Sequence, residues 1–244
     1  MKHILVLLGT IFLFAACSPT DPLPQPRRVV DLTDISGAER TPDWELAAVG
    51  YEYSGQGVNY RKAGLEPVFL VLRNKSDQKP RILLDEVQGI GPDGEFLPYS
   101  VDEAERLVTA SETFKLNAKN ALKSGTLGAA VGAGLGAIIG SITGGDAIAS
   151  GAALGAGFGG MTLGVASVPE AQRKLKRLIR EDLENHAWKE TTVAPHMTRM
   201  GYVYLPGEEE IDRVRVSVRV EDRVRTYELP VVSVQDSGGG REQE

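Results

Sequence analysis

From Ser124 to Val168 glycine recurs at every fourth residue, at Gly128, Gly132, Gly136, Gly140 and Gly144, and again at Gly151, Gly155 and Gly159. Of the chain's 28 glycines, 14 lie in these 45 residues, so the pattern is a local device rather than a compositional background. The only charge in the stretch is Asp146, just after Gly144-Gly145. That reads as a turn between two uncharged arms, Ser124 to Thr143 and Ala147 to Val168, each about as long as a helix that crosses a bilayer. On a helix, a four-residue period lines the glycines along one side, and Leu127, Val131, Leu135, Ile138, Ile139 and Ile142 cover the other faces. Glycine costs about 1 kcal/mol per interior helix position relative to alanine, so the first arm carries a penalty of roughly 5 kcal/mol. An isolated arm in water is expected to melt. Close packing against the second arm, against copies in other subunits, or within lipid would recover the cost. A flexible linker would not interleave Leu, Ile, Val and Phe158 with its glycines. A hairpin packed on the chain's own soluble domain remains a competing expectation.

These residues resemble the glycine-zipper segments of bacterial envelope proteins, over this stretch only. A second resemblance lies at the amino terminus. Met1-Lys2-His3 is a short basic start, Ile4 to Phe14 is an apolar run, and Ala15-Ala16 precede Cys17, the only cysteine. The run is too short to span a membrane stably. It resembles a bacterial lipoprotein signal, with Phe14 and Leu13 departing from the usual Leu-Ala-Gly-Cys form of the lipobox. The resemblance implies cleavage of residues 1–16 and lipidation of Cys17, and Ser18 in place of aspartate implies the outer membrane. With one cysteine, no intramolecular disulfide is possible. The chain has 27 Lys+Arg against 33 Asp+Glu, a net charge of −6, and loses one more positive charge when Lys2 leaves with the signal. A globally acidic chain argues against nucleic acid as a partner.

Residues 17–43 begin as a tether. Pro19, Pro22, Pro24 and Pro26 favour an extended, polyproline-like course. From Trp44 to Ser100 the texture is that of strands: Glu45–Tyr53, Val58–Arg61, Pro67–Arg73, Arg81–Ile90 and Glu95–Tyr99, with Pro92-Asp93-Gly94 as a turn. After Trp188 it returns at Met200–Leu205, Asp212–Val220 and Arg223–Leu229, with Glu221-Asp222 as a hairpin turn. Neither group supplies a partner for each of its edges, so the expected fold is α+β. Residues 44–100 and 196–234 would form one immunoglobulin-like antiparallel β-sandwich, interrupted by a helical insertion, 101–195, that carries the glycine-zipper hairpin 124–168. Gly201-Tyr202-Val203-Tyr204-Leu205-Pro206 looks like the closing half of small immunoglobulin-like domains on secreted bacterial proteins. Residues 235–244, with Gly238-Gly239-Gly240, read as a disordered tail.

Within the insertion, Ser100-Val101-Asp102-Glu103 and Ser167-Val168-Pro169-Glu170 fit helix starts. Cations flank the glycine arms on both sides: Lys115, Lys119 and Lys123 before them, Arg173, Lys174, Lys176, Arg177 and Arg180 after them. Such flanks suit anionic lipid headgroups, and equally suit a solvated basic face on a helix lying against the sandwich. If the hairpin entered the inner membrane from the periplasm, these cations would stay outside, against the positive-inside tendency, which favours the outer membrane or no full insertion.

Catalysis finds little footing. His3 leaves with the signal, and His186 and His196 lack the spacing of a metal pair, so neither metal nor cofactor is expected. His186 reads as the cationic end of the basic helix and His196 as a loop residue. The expectation is a non-enzymatic, lipid-anchored cell-envelope protein. Its glycine zipper inserts in a membrane or builds a homo-oligomer, and its sandwich faces the periplasm and binds an envelope protein. The alternative is an oligomeric pore former or membrane-perturbing lipoprotein, which the scarcity of polar residues along the arms disfavours.

Overall fold

The computed structural model describes residues 32–53, 58–112, 114–116 and 168–233. The segments expected to be a signal peptide, a tether, glycine arms and a tail lie outside the described residues, apart from residues 32–43 and Val168. The strands are β1 (Glu39–Arg40), β2 (Trp44–Gly50), β3 (Leu65–Asn74), β4 (Arg81–Ile82), β5 (Gln88–Gly91), β6 (Gly94–Phe96), β7 (Thr198–Pro206), β8 (Arg213–Val220) and β9 (Arg223–Val232). Among the described residues, helices α1 (Val101–Ala110) and α2 (Val168–His186) lie between β6 and β7 in the chain.

The molecule is α+β, with strands predominating. Hydrogen bonds join the strands in the order β6-β5-β8-β9-β2-β3-β7, with β1 on β2 and β4 on β8. Along this path, strands from before and after the helices meet at three joints, β5-β8, β9-β2 and β3-β7. β3 pairs antiparallel with β7 from Leu65↔Pro206 to Arg73↔Thr198, and β5 pairs with β8 at Gln88↔Arg215. The sheet path is continuous, unlike the two separate sheets of an immunoglobulin-like sandwich. The end of β9 runs parallel to β2 at Ala48↔Val231 and Val49↔Val232, and this joint carries the sheet around into a curled half-barrel. Strand twist provides the curl, and the apolar face it encloses provides the driving force.

β2, β3 and β7 form the middle layer. One face, with Val49, Phe69, Val71, Tyr202 and Tyr204, meets Ala104 and Val108 of α1 and Leu175, Ile179 and Leu183 of α2. The opposite face, with Leu46, Leu70 and Val203, meets Val214, Val216 and Val218 of β8. Burial on both faces explains why Val68-Phe69-Leu70-Val71-Leu72 is uninterrupted apolar sequence. β8 alternates instead, with its valines inside and Arg213, Arg215 and Arg219 outside.

Two strand expectations change. Val58–Arg61 is not a strand: a 3-10 turn, Arg61–Ala63, follows Tyr60 and ends at Gly64 with φ 84°. Val58 and Tyr60 are both fully buried, so alternation mimics a strand, but Asn59 Oδ1 accepts from Lys62 N and closes a turn. The span Arg81–Ile90 is broken by a 3-10 turn at Leu84–Glu86, so that β4 and β5 share one edge of β8. By contrast, Ser100 caps α1 as the sequence predicts: Glu103 N donates to Ser100 Oγ at 3.3 Å and Ser100 N donates to Glu103 Oε2 at 2.8 Å.

Candidate functional site

α1 and α2 lie at the two ends of the glycine-rich stretch. α2 is helical because Leu175, Leu178, Ile179 and Leu183 recur at helical spacing and point inward, with Pro169 in the first turn. Glu170–Lys174, Arg177–Glu181 and Arg180–Glu184 pair one turn apart on its wet side.

An ionic network binds the two helices. Arg180 reaches Asp102 at 2.7 Å and Glu105 at 3.2 Å, both on α1. Lys176 Nζ lies 3.1 Å from Glu105 Oε1, an ion-pair contact without hydrogen-bond geometry. Glu105 is only 4 % exposed, and it is the hub of this network. Of the cations expected to form a membrane-surface flank, Lys174, Lys176, Arg177 and Arg180 on α2 and Lys115, 2.6 Å from Glu112, therefore have carboxylate partners. Arg173 has none among the described residues. Lys119 and Lys123 lie outside the described residues, as do Cys17 and the glycines Gly128, Gly132, Gly136, Gly140, Gly144, Gly151, Gly155 and Gly159. An open cleft of about 470 Å³ lies between the C-terminal end of α1 and the N-terminal end of α2. Thr109, Phe114, Pro169, Gln172, Arg173 and Lys176 border it.

The network makes a prediction. Lys176 and Arg180 are half-exposed, so Glu105→Gln leaves two solvated cations and is expected to cost only about 1 kcal/mol in urea unfolding. A loss several times larger would mean that Glu105 supports the helix pair by more than ion pairing.

Beneath α2 lies a second polar cluster, one the sequence reading does not anticipate. Tyr60 OH donates to Asp182 Oδ2 at 2.6 Å, and His186 Nδ1 lies 3.2 Å from Asp182 Oδ1 and 2.8 Å from its backbone carbonyl. Two oxygens on Nδ1 place the ring proton there. Tyr204 OH donates to Leu183 O at 2.7 Å and Tyr51 OH to Val58 O at 3.0 Å. Burial, reinforced by the negative charge of Asp182, pushes the Tyr60 and Tyr204 hydroxyls well above the ordinary tyrosine range. Burial opposes protonation of His186, but the hydrogen bond and charge of Asp182 prevail and raise its pKa above 6.5. One signal could have revealed this cluster: Asp182 and His186 continue the inward spacing of Leu175 and Ile179, so a carboxylate falls in an apolar stripe.

Chemically the cluster is an anchor. It fixes the C-terminal half of α2 to the sheet, and none of its hydrogen bonds presents a nucleophile to His186. His196 is elsewhere, in a loop with φ 58°. Among the described residues no group of His, Cys, Asp and Glu is arranged to hold a metal ion, and no helix is long and apolar enough to cross a membrane. No family model, curated protein or solved structure matches the chain.

Proposed function

We propose that this chain is a non-enzymatic lipoprotein of the bacterial cell envelope, held by lipid on Cys17 in the outer membrane. Its curled sheet serves as a periplasm-facing module for an envelope protein, and residues 124–168 form an inserted glycine-zipper hairpin that enters a membrane or builds a homo-oligomer. The observation that carries the reading is the tie between α1 and α2. Arg180 and Lys176 clamp Glu105 and Asp102, so the stretch leaves and re-enters the fold between two neighbouring helices. A hairpin needs such a root; a linker between separated bodies does not. Compensation of most α2 cations by carboxylates shifts weight from headgroup binding to the glycine arms themselves.

The test is the subunit number of the full lipoprotein in detergent, measured by light scattering. Replacing Gly128, Gly132, Gly136 and Gly140 with leucine is expected to turn a defined oligomer into monomer, because each added side chain keeps backbones apart. In the membrane-inserting version subunit number stays unchanged, and a Cys17→Ser variant stays in the membrane through an alkaline wash. An unsubstituted protein that is already monomeric, together with a Cys17→Ser variant that washes free, would overturn both versions.

A further inference from the structure

We propose that the exposed edge of β9, from Arg223 to Glu228, takes up an acidic, extended segment of another protein as an added strand. This rests on the reading of the sheet as a protein-binding module and names the chemistry of its partner.

Three observations meet at this edge. The first is an open ladder. β9 pairs with β8 from Pro230 to Arg223, but its other edge meets β2 only at Val231 and Val232. β1 occupies β2 ahead of that joint, at Glu45 and Leu46, so among the described residues no strand lies beside Arg223–Glu228. Arg223, Val224, Arg225 and Thr226 are all exposed in succession, as expected where a sheet stops. An unpaired row of backbone N–H and C=O groups is the surface used in strand addition.

The second is charge. Arg223 and Arg225 stand opposite Val220 and Val218 of β8, and Arg219 stands opposite Val224. Arg219 and Arg223 have no carboxylate partner among the described residues, and Arg225 has only Asp43, at 3.8 Å. Two copies joined through this edge would bring arginines together, which is unfavourable. The same arrangement favours a strand with acidic residues on the Arg223/Arg225 face and apolar residues beside Val224, which is 45 % exposed. Glu221 and Asp222, in the turn, limit the positive field to this short edge.

The third is a recess. A cavity of about 70 Å³ opens beside the edge, bordered by Asp43, Trp44, Gln78, Val220, Arg223 and Arg225. It holds the equivalent of about two waters, the scale of one carboxylate-bearing side chain. The Arg225 guanidinium is held over the Trp44 ring at 5.5 Å, and Trp44 Nε1 donates to Tyr227 OH at 3.1 Å, so the recess has a fixed wall.

The probe is a fluorescent peptide alternating glutamate with valine, titrated against the full lipoprotein in detergent and read by anisotropy. Saturable binding that weakens with salt is expected, and an alternating lysine–valine peptide should not bind. Asp43→Asn, which removes the internal competitor for Arg225, should tighten binding. The paired substitutions Arg223→Glu and Arg225→Glu should weaken the acidic peptide by about tenfold or more and allow the lysine–valine peptide to bind. This exchange of preference cannot come from misfolding. Equal binding of both peptides, no binding of the acidic one, or a preference unmoved by the double substitution would overturn the proposal. So would concentration-dependent self-association that the double substitution abolishes, because the occupant would then be a second copy. The glycine-to-leucine test is independent of β9, so it can succeed when the strand-addition proposal fails.

Discussion

Asp182→Ala is expected to lower the unfolding free energy by about 3 kcal/mol. The carboxylate is 7 % exposed and receives a hydrogen bond from Tyr60, whose hydroxyl is buried with it under α2. Truncation removes a charge-assisted bond and leaves a buried donor without an acceptor, each worth roughly 1–3 kcal/mol. The freed His186 limits the loss, because its ring can be neutral and is about a quarter exposed. Asp182→Asn keeps an acceptor for Tyr60 and should cost roughly half as much. Urea unfolding of the three proteins decides, and equal losses for Ala and Asn would mean that the charge, not the acceptor, matters.

The same pair sets a pH dependence. His186 binds its proton more tightly in the folded protein, so its contribution is fully present below about pH 6.5, the ordinary histidine value, and is lost as pH rises through the raised folded value. Stability should therefore fall with rising pH over this window in the wild type, and the fall should vanish in Asp182→Ala. A wild-type curve that rises there would show that another group dominates.

Phe69→Ala should cost more, about 3–5 kcal/mol, the usual price of emptying a large aromatic site in a core. Phe69 is 1 % exposed near the middle of β3, and its ring centroid is 4.9 Å from that of Tyr202. It belongs to the layer that carries α2, while its neighbours Val68 and Leu70 point into the curled half of the sheet. Neighbours on both sheet faces hold β3 in place, so the cavity cannot collapse fully. Phe69→Leu keeps much of the volume and should cost less than half as much. Thermal unfolding followed by circular dichroism separates the two variants, and a small effect of Ala would show that α2 can settle into the space.

Much of the element order is legible because it is local. The Ser100 cap, the Glu221-Asp222 hairpin turn, the strict alternation of β8 and the inward stripe of α2 each depend on residues within a few positions of one another. Local signals also mislead: Val58 and Tyr60 alternate as a strand would, yet Gly64 and Asn59 close a turn there. The basic face of α2 is visible as a run of cations, but Asp102 and Glu105, its partners on α1, are more than seventy residues away in the chain. Sequence spacing carries no information across such a gap. For the same reason the sandwich expectation placed most of the strands in their two groups but not the joint between β9 and β2.

The sequence by itself determined most of the strands and helices, the Ser100 cap, the pairing of two distant strand groups in one α+β unit, and the expectation of a lipid anchor and a glycine zipper. Those follow from periodicity, turn chemistry and composition, which act over one or two turns or strands. Only the tertiary structure decided that the sheet curls into a half-barrel, that Glu105 pairs with Lys176 and Arg180, that Asp182 joins Tyr60 and His186, and that β9 keeps an open edge among the described residues. Each of these depends on which distant surfaces meet, and that is set by the burial of apolar faces against one another over the whole chain.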